Sequence, residues 1–210
     1  MPTIRKIAPA DIEAESFRII ERELGAHSWP PAEFSVVRRV IHATADFSFA
    51  ETMRFHPQAV AAGIAAIRAG RHVLTDINMV AAGVNKGLLE PYGGRVVCRV
   101  AAPGVAELAK KRKKTRTEIA IEQAMLDDIG IVAIGNAPTA LLKVIDMIRR
   151  RQAKPDLVVG VPVGFVNAAE SKELLAEQDF PHITCLGRKG GTPVAVAVVN
   201  AILALAARED

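Results

Sequence analysis

The chain has 210 residues, half of them hydrophobic and 24% charged, which excludes wholesale disorder and supplies a sizeable core. Aromatic residues make up only 4%, so the apolar share rests on aliphatic side chains that suit helices on a buried parallel sheet better than a β-sandwich. The 27 basic and 23 acidic residues leave +4, too mild an excess to mark a nucleic-acid protein, and the distant Cys98 and Cys185 exclude a disulfide framework or a zinc module.

In chain order, Asp11 to Leu24 reads as a helix with Ile12, Phe17, Ile20 and Leu24 on a mostly helical spacing and Gly25 as its stop. A second helical pattern runs from Ala32 to Ile41, and a third opens at His56-Pro57 and ends near Gly70. From residue 71 the pattern alternates. Strands are predicted at His72–Leu74, Arg95–Cys98, Ile129–Ile134, Leu157–Val161 and Ile183–Leu186. Helices are predicted at Asn78–Val84, Gly104–Lys113, Glu118–Leu126, Thr139–Arg149, Ala168–Glu177 and Val194–Ala206. This succession predicts an α/β fold: one doubly wound domain over residues 1–210, a mainly parallel sheet of about five strands, and an N-terminal helical layer. The start of the chain carries no apolar leader, and the longest apolar stretch, Pro193 to Ala207, contains Asn200 and falls short of the ~20 residues of a membrane span. A cytoplasmic protein without membrane contact is expected.

The loops after the later strands share a grammar. Pro138 suits a first helical position, Asn167 with Glu170 resembles a capping box, and Thr192-Pro193 reads as cap and first residue of the last helix. Ligands of open parallel sheets bind outside the carboxyl ends of the strands, so these loops and Thr75-Asp76 should build one crevice. Within it, Gly187-Arg188-Lys189-Gly190-Gly191 is read as an anion site, with backbone N–H groups, a helix start and two formal charges. A tight turn bearing solvated basic residues is the plain alternative, and the spacing fits neither a Walker A nor a dinucleotide fingerprint. The basic run Lys110 to Arg116 is by default a solvated helix face, except that Arg116 follows Thr115 at a capping box with Glu118. The five histidines form no metal-ligand spacing. His42 stands at a helix end among small residues, where a ligand could reach a proton-shuttling imidazole, although a lone histidine is more often structural.

Taken together, Glu15-Ser16-Phe17, Arg39-Val40-Ile41-His42-Ala43-Thr44-Ala45-Asp46, Thr75-Asp76 with Met79, Gly135-Asn136-Ala137-Pro138-Thr139-Ala140, Pro162-Val163-Gly164-Phe165-Val166 and Gly187 to Gly191 resemble the precorrin-8X methylmutase family, in order and over nearly the whole chain. The resemblance implies an isomerase that moves a methyl group from C-11 to C-12 of precorrin-8X or cobalt-precorrin-8, yielding hydrogenobyrinate or cobyrinate, with no cofactor or catalytic metal. It places the family's catalytic histidine on His42, as general acid. Arg116, Arg188, Lys189 and the backbone of Gly164 and Gly190 would hold the substrate's carboxylates, with Ser16, Thr75, Asp76 and Asn136 as further pocket residues. It also implies a homodimer with the site near the interface. The stretch Val80 to Leu89 follows the family pattern loosely, and Asn85 is given no role. Two readings compete: a corrinoid carrier on the same scaffold, and a phosphate-ester or nucleotide enzyme that would need Asp76 for Mg²⁺.

Overall fold

The computed structural model describes residues 6–125 and 128–208. After a 3₁₀ turn at Pro9–Asp11, the helices are α1 Ile12–Leu24, α2 Pro31–Thr44, α3 Phe49–Thr52, α4 Ala59–Arg68, α5 Asn78–Gly83, α6 Lys86–Leu89, α7 Val105–Arg112, α8 Arg116–Ala124, α9 Pro138–Arg149, α10 Ala168–Ala176 and α11 Thr192–Ala206. The strands are β1 Met53–Phe55, β2 His72–Thr75, β3 Val96–Val97, β4 Ile129–Ile134, β5 Leu157–Gly160 and β6 His182–Cys185. The expected end of one helix at Leu126 lies outside the described residues.

The sheet has six strands in the order β1-β6-β5-β4-β2-β3. All neighbours are parallel except β1, which runs antiparallel to β6 with Met53 opposite Cys185. The sequence predicts five strands; β1 is the addition, because three residues directly after a helical stretch carry no readable alternation. The chain goes outward from β2 to β3, then returns to lay β4 on the other side of β2. That reversal makes the β2/β4 boundary the topological switch point.

Period-2 alternation sorts the strand side chains onto two faces. Val73, Ile131, Ala133, Leu157 and Val159 face the core shared with α2, α4 and α11, while Leu74, Val132, Ile134 and Val158 face the core shared with α8 and α9. Burial on both faces is what a continuous apolar run such as Ile131 to Ile134 needs in order to form a central strand. The N-terminal layer is present as expected: α2 packs along α11 through Val36, Val37, Val40 and Ile41, and α1 packs on α2.

The caps decide several element ends. Thr115 and Glu118 form the expected capping box at the start of α8. Asn167 does not cap α10; it takes a left-handed conformation, φ 60°, with no side-chain bond to the helix. Thr192 is the first residue of α11 and not its cap, since Gly191 occupies the cap position. Asn85 proves to be the cap of α6, its Oδ1 accepting from the Leu88 amide.

Candidate active site at the carboxyl rim of the sheet

The antiparallel edge strand explains how residues from the first quarter of the chain reach the carboxyl rim of the sheet. Because β1 runs against β6, its N-terminal end lies at the carboxyl end of the parallel strands, and the Leu186 amide donates to the Thr52 carbonyl at 2.9 Å. The segment after α2 is thereby delivered to the rim formed by the loops after β2, β4, β5 and β6.

His42 lies in the last turn of α2, exposed, three residues before the left-handed Ala45 that ends the helix. Its ring meets Phe17 edge-on, with centroids 5.5 Å apart. Phe17 in turn carries the Arg38 guanidinium 4.2 Å from its ring centroid and that of Arg39 at 5.4 Å. Arg39 grips Glu13 through two hydrogen bonds of 3.0 and 3.2 Å, and this partner holds the Glu13 carboxyl below its usual range. Glu13 and Arg38 were not singled out from the sequence, and Phe17 and Arg39 stood in the family-like strings without a role. Their signal was available: Glu13 and Phe17 are four apart, as are Arg38 and His42, so each pair shares a helix face. Ser16 adjoins this group on α1 but spends its hydroxyl on the Ile12 carbonyl at 2.8 Å.

At the switch point, Asp76 is fully buried. Its carboxylate accepts from the amides of Gly135 at 3.1 Å, Asn136 at 2.9 Å and Ala137 at 2.8 Å. Burial pushes its pKa up, against the pull of these three donors. The group clamps the loop after β4 onto the loop after β2 from beneath, leaving the Asn136 side chain exposed above. Thr75 is buried beside it, with Oγ1 3.4 Å from the carbonyls of Ile77 and Val97.

The loops after β5 and β6 are laced together. The Gly191 amide donates to the Val161 carbonyl at 2.8 Å, and the Gly164 amide to the Arg188 carbonyl at 3.2 Å. Gly190, at φ 151°, is packed so closely that a Cβ there would come within 2.3 Å of the Val161 carbonyl oxygen. Arg188 is exposed and lies over Phe165, 5.5 Å from the ring centroid. Lys189 extends back to Asp46 and Ser48, at 2.7 and 3.0 Å. Arg116 is reached differently: the Thr115 hydroxyl lies 3.0 Å from that of Thr139, which sets the first turn of α8 against the first turn of α9 and leaves Arg116 exposed at the same rim. Among the described residues no hydrogen bond or ion pair joins Ser16 or Arg116 to the loop after β6.

Two features define the chemistry this rim can perform. The helices that follow β2, β4, β5 and β6, namely α5, α9, α10 and α11, all start without a side-chain cap, so their positive ends lie at the rim, although Pro138 at the start of α9 and Pro193 in the first turn of α11 offer no N–H. Beside them stand the large exposed apolar side chains Met79, Val163, Phe165 and Val166, the last two about four-fifths exposed (83% and 78%). A ligand suited to both is broad, apolar across its middle and anionic around its edge. Among the described residues no three His, Cys, Asp or Glu side chains gather where they could hold a metal ion, and no helix is long and apolar enough to cross a membrane.

Comparison with known proteins shows the family. The family model described as precorrin-8X methylmutase matches residues 11–205. The cobalt-precorrin-8 methylmutase of Priestia megaterium is 49% identical over 201 residues, covering 95% of this chain and 89% of that protein. The precorrin-8X methylmutase of Pseudomonas aeruginosa is 41% identical, with 91% and 93% covered. The crystal structure of precorrin-8X methylmutase from Thermus thermophilus superposes with a TM-score of 0.85 at 45% identity, covering 94% of this chain and 98% of that one. The chain belongs to the precorrin-8X methylmutase family.

Proposed function

We propose that this chain is an isomerase that moves a methyl group from C-11 to C-12 of precorrin-8X, or of its cobalt-containing counterpart, to give hydrogenobyrinate or cobyrinate. The observation that supports the reading is the rim: uncapped helix starts and exposed apolar side chains at the carboxyl end of one sheet, with the turn that follows the His42-bearing helix tied to it through Asp46 and Lys189. A flat macrocycle would lie on Met79, Val163, Phe165 and Val166. Its peripheral carboxylates would meet the helix N-termini, Arg188 and Arg116. Asp76 and Lys189 would act from behind, the first by fixing the amides of residues 135–137 and the second by tying its loop to Asp46.

The reaction breaks one C–CH₃ bond and makes another within one molecule, so substrate and product have the same composition. A proton lent by His42 to the macrocycle must therefore be returned once the new conjugation is established. General acid catalysis of this kind contributes about 10²–10⁴-fold. A second copy of the chain would close the open side of so broad a crevice, and the active form is a homodimer in this reading. Two cysteines without a disulfide suit work in the cytoplasm. The nucleotide-enzyme alternative is not favoured, because the oxygen atoms of Asp76 are buried under three amides and not presented to a cation.

The test is an absorbance time course with precorrin-8X and separately with the cobalt-containing substrate, since methyl migration alters the ring's conjugation. His42→Ala should bind the substrate and lose turnover by about 10²-fold or more. Undiminished turnover in that variant removes His42 from the mechanism. Binding without conversion of either substrate by the wild type would indicate a carrier.

A further inference from the structure

Beneath the loop after β6 lies a buried amine that the mechanism above does not use. Lys172, on α10, is completely buried and is among the largest fully buried side chains of the chain. Its Nζ donates to the Lys189 carbonyl oxygen and lies 3.8 Å from the Cys185 sulfur at the end of β6. The Cys185 thiol lies 3.4 Å from the same carbonyl. Among the described residues no carboxylate pairs with Lys172. Burial pushes the Lys172 pKa down and the Cys185 pKa up, each against the pull of the other group. A methionine would fill a similar space with no amine to desolvate but would leave the Lys189 carbonyl without its nitrogen donor, so the amine's distinctive contribution is its hydrogen bond.

That bond falls on one particular carbonyl. The loop from Gly187 to Gly191 is fixed through its backbone on either side of Lys189, by Gly164 at Arg188 and by Val161 at Gly191. Lys189 is the residue whose side chain crosses to Asp46, and Arg188, directly before it, lies over Phe165. A carbonyl anchored from below decides where both side chains emerge.

We propose that Lys172 is a positioning residue of the active site: it holds the Lys189 carbonyl down so that Arg188 and the loop amides are set to receive the substrate's carboxylates. The proposal rests on the methylmutase reading given above. It predicts that Lys172 governs substrate binding more than the chemical step, because His42 arrives on a different element.

The experiment compares wild type, Lys172→Met and Lys172→Gln, each first shown folded by circular dichroism, in two measurements. The first is steady-state turnover of the substrate that the wild type converts. The Met variant should raise KM roughly tenfold with kcat within about threefold of wild type. The Gln variant, which keeps a neutral N–H donor one bond short, should fall between the two. The second needs no substrate: tryptic cleavage at the exposed Arg188 and Lys189 should be severalfold faster in the Met variant, since the loop has lost its anchor. A lower kcat at unchanged KM, with cleavage as in wild type, would reduce Lys172 to a packing residue and overturn the proposal. If the Met variant does not fold, Lys172→Leu, which likewise lacks a donor, takes its place, and wild-type KM with wild-type cleavage in that variant overturns the proposal equally. Absence of turnover in the wild type with either substrate would count against the methylmutase reading, and the cleavage rates would still decide whether Lys172 anchors the loop.

Discussion

Lys189 and Asp46 stand 143 positions apart in the sequence and 2.7 Å apart in the fold, ammonium to carboxylate. This contact fastens the loop after β6 to the turn that follows His42, joining the basic and the acidic halves of the proposed chemistry. The hydrogen bond from Lys189, with a second from Ser48, holds the Asp46 carboxyl down at about 2 against an ordinary 3.8.

A carboxylate with a depressed pKa contributes stability that is complete above its unfolded value and is lost as the pH falls through the folded one. The Asp46→Asn variant should therefore melt below wild type by a constant margin above about pH 4. The two should converge as the pH approaches 2. The pair is largely exposed, so the margin is no more than about 1 kcal/mol. Thermal unfolding of both proteins across this pH range checks it, and an equal margin at pH 2 and pH 6 would mean that the ion pair is not its source.

Asp76 is expected to be far less tolerant. Asp76→Ala leaves three amides without their acceptor in a buried setting, which should cost roughly 3 kcal/mol or more. Asp76→Asn keeps one acceptor oxygen and should lose less. Urea unfolding gives the order. Because the released loop carries Asn136, the Asn variant should also show a raised KM, and a KM equal to wild type would confine Asp76 to stability.

Arg188 and Arg116 are exposed guanidinium groups at the proposed carboxylate rim. Changing either to Gln should raise KM severalfold at low ionic strength. The gap should narrow as salt is added, because contacts at an open surface are screened over a Debye length of roughly 10 Å at 0.1 M. A KM gap that does not change with salt would mean that these side chains do not hold the substrate through charge.

The parts of this fold that could be read from the chain are those set by local chemistry. Apolar runs such as Ile129 to Ile134, bounded by turn residues, announce buried strands, and Thr115 with Glu118 announces a helix start. Local grammar misleads where backbone geometry intervenes. Asn167 with Glu170 has the letters of a cap, yet its left-handed conformation turns the side chain away from that duty. Contacts between distant positions were out of reach. Nothing around Lys189 names Asp46 as its partner, and nothing around Lys172 distinguishes it from a solvated lysine on a helix. Its burial is imposed by β6 and the loop above. His42 was visible as a histidine among small residues, whereas its delivery to the rim depends on β1, a strand too short to announce itself.

The packing of α2 along α11 has a consequence for how the protein is made. The helix that carries the proposed acid rests on the last helix of the chain, and the strand that anchors it, β1, pairs with the last strand. A nascent chain still lacking residues beyond Cys185 would hold His42 on a helix pair with no seat, its apolar side chains open to the surroundings. His42 is translated before the elements that seat it, so a chain that stopped after Cys185 would carry the proposed acid with no assembled site.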